Sequence, residues 1–476
     1  MKNINNTLCE DTSNIENQNK YAERVRKIIN EKISREKRPL YVFIQTFGCQ
    51  QNEADSERLL GSALSLGYEK ADSIENADLI IFNTCAVREH AELKAFSKTG
   101  QLKHLKEKNP DIIIGLWGCM VNQEHRVDEI KHNYPYVNFA AGTNMLHRLP
   151  EILCDVLETN RRRYYVDDSN YPLVEGIPVK RMSDIKAWIS IMYGCNNFCT
   201  YCVVPYVRGR ERSRDADVIV EEAKNLIESG YKEITLLGQN VNSYGSDKGE
   251  VSFAKLLQRI AELDGEFIVR FMTSHPKDVS DELIDVIATH KKIERHFHLP
   301  IQSGSDEILF KMNRKYTTDA YTKVAEKLKK AIPDIVFTTD IIVAFPGETD
   351  EDFEKTLVMC DKIGYDSIYS FIFSPRKGTP AEKMENNITD AQKNERMSKL
   401  LSQHRERIVK INKSYENTVQ KVLCETKKNE SGCYFGKTSG FKLVKFTYNG
   451  NDNIYGRFVD VLITSSSETM LTGKMI

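Results

Sequence analysis

The segment GCNNFCTYCVVPYVRGRERSR, Gly194 to Arg214, places three thiols, Cys195, Cys199 and Cys202, within eight positions. Thiolates so close together hold a soft metal or an iron–sulfur cluster, and the Cys-x3-Cys-x2-Cys spacing lets one loop wrap three corners of a cube. A closed structural zinc site asks for a fourth ligand, whereas stopping at three leaves one position open for a substrate or cofactor. The loop then runs into Arg208, Arg210, Arg212 and Arg214 at alternate positions. That is a dense basic segment able to neutralise phosphate beside the chemistry. Glu211 and Asp215 lie close by, so a salt-bridged surface loop is the plainer reading.

A second set of thiols is dispersed. Cys49 follows the apolar run FIQTF, Cys85 follows LIIFN and Cys119 follows IIIGLW. Each stands just past the carboxyl end of an expected parallel strand, the edge at which open α/β sheets bind ligands. Spacings of about one βα unit bring the three to a common rim, although single buried cysteines commonly fill small core sites.

Residues 1–38 form a polar tail, with Tyr21, Val25, Ile28, Ile29 and Ile33 at helical spacing, which predicts an amphipathic helix from about position 20, loosely packed on the body. Residues 39–155 alternate aliphatic runs with helical stretches at Glu53 to Leu66, Arg88 to Lys108 and Gln123 to Asn133, the pattern of a parallel α/β sheet domain. Residues 181–412 repeat the alternation six times, with strands expected in AWISIMYG, EITLLG, FIVRFMTS, RHFHLPI, VFTTDIIVAF and SIYSFIFS, an open (βα)6 relative of the eight-fold barrel. A charged helix from Asp390 to Lys413 leads into residues 413–476, whose short strand-like runs and Gly-rich turns predict a small β-barrel.

On the barrel face that carries active sites, strand ends present Gln239 and Asn240, Ser274 and His275, and Gln302 and Ser303 as contacts for a cofactor or a base, each with a polar loop or cap as the alternative. Asp340 is a carboxylate inside the apolar strand FTTDIIVAF, where it must be paired or functional. The terminal region from Asn417 carries eight Lys/Arg against five Asp/Glu. Lys437, Lys442, Lys445 and Arg457, with Phe441, Phe446, Tyr448 and Phe458, are its candidate RNA contacts. Cys9, Cys154, Cys360, Cys424 and Cys433 are read as incidental thiols, with Cys424 and Cys433 able to meet across strands.

With 476 residues and 40% apolar content the chain holds several domains. Its opening MKNINNTLCEDTSN has no apolar core of a signal peptide, and no run approaches the ~20 apolar residues of a membrane span. Eleven cysteines, an odd number, argue against a disulfide framework. The expectation is a cytoplasmic protein without membrane contact. A net charge of -1 leaves any polyanion to local patches.

Cys-x3-Cys-x-aromatic-Cys after the first strand of a βα barrel, here Cys195, Cys199, Tyr201 and Cys202, resembles the signature of the radical S-adenosylmethionine enzymes. A second three-cysteine set in an N-terminal α/β domain and a small terminal barrel similar to the TRAM domain make the chain resemble the methylthiotransferases of that superfamily from about residue 40 onward. TFGCQxN at Thr46 to Asn52 and the cysteine-arginine segment at Cys195 to Arg214 are most similar to the bacterial branch acting on tRNA. The family usually has Met where Gln51 stands and Gly where Ala344 stands.

The resemblance implies two four-iron four-sulfur clusters, a radical-forming one on Cys195, Cys199 and Cys202 and an auxiliary one on Cys49, Cys85 and Cys119. It implies S-adenosylmethionine as cofactor, consumed twice. One molecule methylates a cluster sulfur and the other yields the 5′-deoxyadenosyl radical that takes hydrogen from adenine C2 of N6-dimethylallyladenosine beside the anticodon. Partners implied are such a tRNA, a reduced donor of flavodoxin or ferredoxin type and a sulfur donor, with the chain a monomer. Sister methylthiotransferases act on threonylcarbamoyladenosine in tRNA or on a ribosomal-protein aspartate. A zinc-containing, non-enzymatic RNA-binding protein is the rival from another class.

Overall fold

The computed structural model describes residues 4–87, 89–166, 173–430 and 432–476, with side chains from residue 16 onward. Residues 1–3 of the expected tail, the Cys9 side chain and Arg88 at the start of an expected helix lie outside the described residues. The chain forms two compact units. One comprises Met1–Met182, Tyr193–Asn196 and Val203–Arg212, and the other Ser183–Met192, Asn197–Cys202 and Ser213–Ile476.

The first unit is built on a six-stranded, wholly parallel sheet. Its strand order is Glu69–Lys70, Tyr41–Phe47, Leu79–Thr84, Ile113–Gly118, Phe139–Ala141 and Arg163–Tyr165. The Leu79–Thr84 and Ile113–Gly118 strands are buried at every position, which is why they read as continuous apolar runs rather than alternating ones. The last strand lies past the expected boundary at residue 155. Helices Gln50–Ser65, Glu89–Lys108 and Glu124–Asn133 stand where the sequence pattern puts them, to within three residues.

The amino-terminal segment departs from expectation. It is a helix from Ile4 to Glu36. Ala22, Val25 and Ile29 are buried in one core cluster with Leu149, Ile152, Leu153 and Val156 of the helix Leu149–Thr159. Arg24 pairs with Glu158, and Gln18 donates to Glu151 at 2.9 Å. The stripe is thus part of the core: three apolar residues one turn apart bury enough surface to fix a helix whose other faces are polar.

The second unit holds the expected six parallel strands in chain order. Lys186–Ser190, Glu233–Leu237 and Ile268–Phe271 form one set, and His296–His298, Val336–Val343 and Ser367–Ile372 the other, with a parallel bridge from Val269 to Ile293. Helices between them begin at Ser, Thr or Asp caps. Thr349 and Thr389 form reciprocal capping boxes, the latter opening the helix Asp390–Lys413.

The terminal region closes into a five-stranded barrel, Val419–Cys424, Cys433–Thr438, Leu443–Thr447, Leu471–Met475 and Phe458–Ser466 in spatial order. Cys424 faces Gly436 and Cys433 faces Thr447, so the two thiols do not meet. The turn after Cys433–Thr438 docks at the amino ends of the parallel strands. Arg270, 1% exposed, donates to Glu233 at 2.7 Å and Glu294 at 3.2 Å, and also to the carbonyls of Thr438 at 3.0 Å and Ser439 at 3.2 Å. Phe441 stacks on His296.

Ala344, where the family usually has Gly, is fully buried with φ of 60°, and its N–H donates to Glu348 at 2.8 Å. The left-handed conformation costs about 1–2 kcal/mol for a residue with a Cβ. Burial of the methyl returns about 0.8 kcal/mol, and the smaller unfolded-state entropy of Ala a similar amount. Ala344→Gly should therefore leave stability within about 1 kcal/mol of the parent. Ala344→Val should cost about 2–4 kcal/mol, through a strained β-branched residue and overpacking. Thermal midpoints of the two variants check both.

Candidate functional site: two sets of thiols

In the first unit, parallel pairing aligns the ends of Tyr41–Phe47, Leu79–Thr84 and Ile113–Gly118, with Phe47 opposite Thr84 and Thr84 opposite Gly118. Cys49, Cys85 and Cys119 come just after these ends and are drawn together. Cys49 and Cys85 influence each other's ionisation, and Cys85 also feels the charge of Cys119. All three are free thiols.

Their positions are fixed by buried polar side chains. Asn52 donates to Asn83 Oδ1 at 3.2 Å and to the Thr84 carbonyl at 3.0 Å, and Asn83 returns a bond to the Asn52 carbonyl at 2.8 Å. The Cys49 thiol donates to Asn52 Oδ1 at 3.2 Å, tying the first cysteine to the same lock. A glycine precedes two of the thiols for lack of room. A Cβ on Gly48 would lie 2.7 Å from Asn52 Oδ1 and 2.9 Å from Cys85 Cβ. Gly118 has φ of 101°, and a Cβ there would lie 2.5 Å from Asn83 Oδ1.

Electrostatics split the three thiols: Cys49 is held down, whereas its hydrogen bond with Cys49 and burial push Cys85 well up. The hydrogen bond with Cys85 holds the Cys49 thiol down at about 6, against the opposing effect of burial and with help from the positive charge of Arg208. Burial pushes the Cys119 thiol up, and Arg208 opposes that shift. Arg208 is 3% exposed and donates from Nε to Cys119 Sγ and from Nη2 to Asp55, each at 3.2 Å.

The loop of the second set is divided between the units. Cys195, half-buried, belongs to the first, where its N–H donates to the Gly209 carbonyl at 3.1 Å. Cys199, buried, and Cys202, half-buried, belong to the second, and the Cys202 N–H donates to the Cys199 carbonyl at 3.0 Å. Arg314 donates from Nη1 to Cys199 Sγ at 3.3 Å, from Nη2 to the Pro300 carbonyl at 3.0 Å and from Nε to the Tyr316 hydroxyl at 2.9 Å. Tyr316 meets the His275 ring edge-on at 5.4 Å. Arg314 and Tyr316 thus connect Cys199 to two strand ends, and neither carried a spacing signal in the sequence.

The predicted cofactor contacts fall into distinct groups. Tyr201 packs edge-on against Phe345. His275 is pushed down to about 2 by burial, and next by the Arg314 charge, so its ring is neutral; Nδ1 accepts from the Lys277 N–H, leaving the proton on Nε2. Ser274 is buried and, among the described residues, its hydroxyl has no partner, an orphan polar atom beside His275. Gln239 is half-buried. Gln302 is buried with φ of 69°, and Thr273 and Ala344 are also left-handed, so three strand ends carry strained backbone. Asn240 and Ser303 serve the scaffold: Asn240 donates to Asp278 at 2.7 Å and accepts from the His275 N–H, and Ser303 accepts from the Ser305 N–H at 3.2 Å. Asp340 lies 3.6 Å from His298 Nε2.

Two of the expected phosphate contacts, Arg208 and Arg214, are buried within the protein and need correction. Arg208 is committed to Cys119 and Asp55. Buried Arg214 donates to the Ser190 carbonyl at 2.7 Å and to Glu222 at 2.9 Å, and Arg212 donates to Asn144 at 2.8 Å. In the terminal barrel, Lys437 lies over the Phe441 ring at 3.6 Å, Lys442 pairs with Asp366, and Phe446 is fully buried. Lys445 is half-buried, while Arg210 and Arg457 are exposed. Alternate spacing suggests one exposed face only on a strand, and Val204–Val207 and the turn after it are not strand.

The donor set suits a cluster in the first unit: three sulfurs on one rim, a cation against one of them, and no room taken by Cβ atoms. Among the described residues no three His, Cys, Asp or Glu side chains converge as around a single ion. Also among the described residues, no helix is long and apolar enough to cross a membrane.

The Radical SAM superfamily profile matches residues 189–360, and that of the uncharacterized protein family UPF0004 matches residues 41–142. The chain is 48% identical over 436 residues to the tRNA-2-methylthio-N(6)-dimethylallyladenosine synthase of Clostridium botulinum (strain Okra / Type B1), covering 91% of this chain and 96% of that protein. It is 48% identical over 435 residues to the enzyme of the same name from Clostridium perfringens (strain 13 / Type A), covering 91% and 97%. Among solved structures, the radical S-adenosylmethionine methyltransferase TsrM from Kitasatospora setae, with cobalamin and a [4Fe-4S] cluster bound, matches with a TM-score of 0.52 at 13% identity, over 72% of this chain and 77% of that one. That likeness is one of fold.

Gly118→Ala should cost about 2–4 kcal/mol, from a Cβ forced into the Asn83 lock in a left-handed conformation. Gly100→Ala is the control: nothing lies within 4 Å of the added Cβ inside the helix Glu89–Lys108, so about 0.5–1 kcal/mol should be gained. Thermal midpoints should move in opposite directions.

Proposed function

The chain belongs to the family of the tRNA-2-methylthio-N(6)-dimethylallyladenosine synthases within the radical S-adenosylmethionine superfamily, and we propose that it places a methylthio group on adenine C2 of N6-dimethylallyladenosine in tRNA. The observation that carries this reading is the pair of three-thiol sets, each one ligand short of closing a cluster. When bound, the cluster of Cys195, Cys199 and Cys202 supplies the electron that cleaves S-adenosylmethionine, and that of Cys49, Cys85 and Cys119 supplies sulfur.

The protein's own contribution is placement and exclusion of water. Neutral His275 offers an N–H, and the unpartnered Ser274 hydroxyl a second polar contact, at the strand ends near which Tyr316 and Arg314 hold Cys199. An unactivated aromatic C–H has no proton that a side chain of ordinary basicity can remove, so no general base is required of these residues. Identity of 48% along 91% of the chain favours dimethylallyladenosine over the substrates of the sister enzymes. A reduced flavodoxin- or ferredoxin-type donor and a sulfur donor are the partners this chemistry needs. The chain is taken to act as a monomer in the cytoplasm.

Mass analysis of tRNA nucleosides tests the reading. A bacterial strain lacking this activity should regain 2-methylthio-N6-dimethylallyladenosine when it expresses the chain; accumulation of unmodified dimethylallyladenosine would reject the proposal. In vitro, a Cys49→Ala, Cys85→Ala, Cys119→Ala variant reduced with dithionite should still form 5′-deoxyadenosine and yield no methylthio nucleoside. A methylthio product from that variant would rule out these thiols as the place where sulfur is carried.

A further inference from the structure

Arg208 stands six residues after Cys202 in the chain, yet its guanidinium lies among the thiols of the other set. It is 3% exposed, so its charge needs compensation inside the protein. Asp55 supplies one carboxylate, 3.2 Å from Nη2, but Asp55 also lies 3.9 Å from Arg58. Two guanidiniums therefore share that carboxylate, and the Nε–H of Arg208 turns to Cys119 Sγ at 3.2 Å. The guanidinium of Arg208 thus meets both a carboxylate and a thiol sulfur.

The backbone holds this guanidinium in place. The Val207 carbonyl accepts from Asn122 Nδ2 at 2.7 Å and from Thr143 Oγ1 at 3.2 Å. Val203 and Val207 form a small buried cluster with Ala86 and Cys119. The turn that carries Arg208 is thus clamped over the rim from which Cys85 and Cys119 project, and the guanidinium is not a mobile surface group.

We propose that Arg208 is a positioning residue of the auxiliary site, whose hydrogen bond to the Cys119 sulfur and fixed positive charge raise the reduction potential of the iron–sulfur cluster held by Cys49, Cys85 and Cys119. This rests on the reading of those three thiols as cluster ligands. The physical basis is general: hydrogen bonds to ligand sulfur and a nearby cation stabilise the more negatively charged, reduced state of a cluster.

The test uses the full chain with Cys195, Cys199 and Cys202 changed to Ala, so that only the auxiliary site titrates. Reconstituted protein with Arg208, Arg208→Lys or Arg208→Met is followed by electron paramagnetic resonance during a redox titration, with iron and sulfide measured on each sample. At the potential that half-reduces the Arg208 protein, Arg208→Met should show a reduced-to-oxidised ratio at least tenfold lower, a shift of about 59 mV for one electron. Arg208→Lys, which keeps the charge but not the planar fork, should shift less in the same direction.

Titration curves of both variants that superimpose on the Arg208 protein would overturn the proposal. If Arg208→Met loses its iron, the Lys variant decides: a lowered potential supports the proposal, and an unchanged one makes Arg208 merely structural. If the Arg208 protein itself binds no cluster in this background, the cluster reading of the three thiols fails first and the proposal falls with it.

Discussion

Parallel strand pairing places the carboxyl ends of neighbouring strands side by side, and everything else in the first unit serves to hold three thiols at those ends. Cys49, Cys85 and Cys119 are separated by whole βα units, so they meet only if Tyr41–Phe47, Leu79–Thr84 and Ile113–Gly118 stay in register. A slip of one residue would send each side chain to the opposite face. The mutual hydrogen bonds of Asn52 and Asn83 guard against that slip at the strand ends themselves. The helix Ile4–Glu36 contributes from the far side, by completing the core behind the sheet.

Such precision requires burying polar groups, which is tolerable only where each is satisfied. Asn52, Asn83, Asp55 and Arg208 are all buried near the first thiol set. The second unit follows the same logic at the other end of its strands, where Arg270 satisfies its fork on Glu233, Glu294 and two carbonyls of the terminal barrel. Removing one partner from such a network leaves a buried charge exposed to its full desolvation cost, about 3–5 kcal/mol. The terminal barrel is accordingly bound into the second unit through Arg270, the Phe441–His296 stack and a Lys186–Glu425 pair at 2.5 Å.

The sequence was most informative where chemistry and periodicity coincide. The six strands of the second unit, the helix Asp390–Lys413 and the rim of Cys49, Cys85 and Cys119 were readable because apolar runs alternate with capped helices, and because cysteine is rarely placed at three equivalent positions by chance. The arginines were not readable in this way. Arg208 and Arg214 look like surface charges, since burial of a guanidinium depends on partners such as Asp55 and the Ser190 carbonyl that are remote in sequence. Arg314 and Tyr316 escaped for the same reason. Val25 and Ile29 signalled a helix but neither its start at Ile4 nor its depth, the latter because the apolar surface that covers them belongs to Leu149–Thr159, more than a hundred residues away.

The central claim is that this chain holds two separate clusters, each on three thiols. Iron and acid-labile sulfide, quantified per chain after anaerobic reconstitution and paired with Mössbauer spectra, address it most directly. About eight iron and eight sulfide atoms, all in cubane signals, is the predicted result. About four of each, or zinc without sulfide, would contradict it.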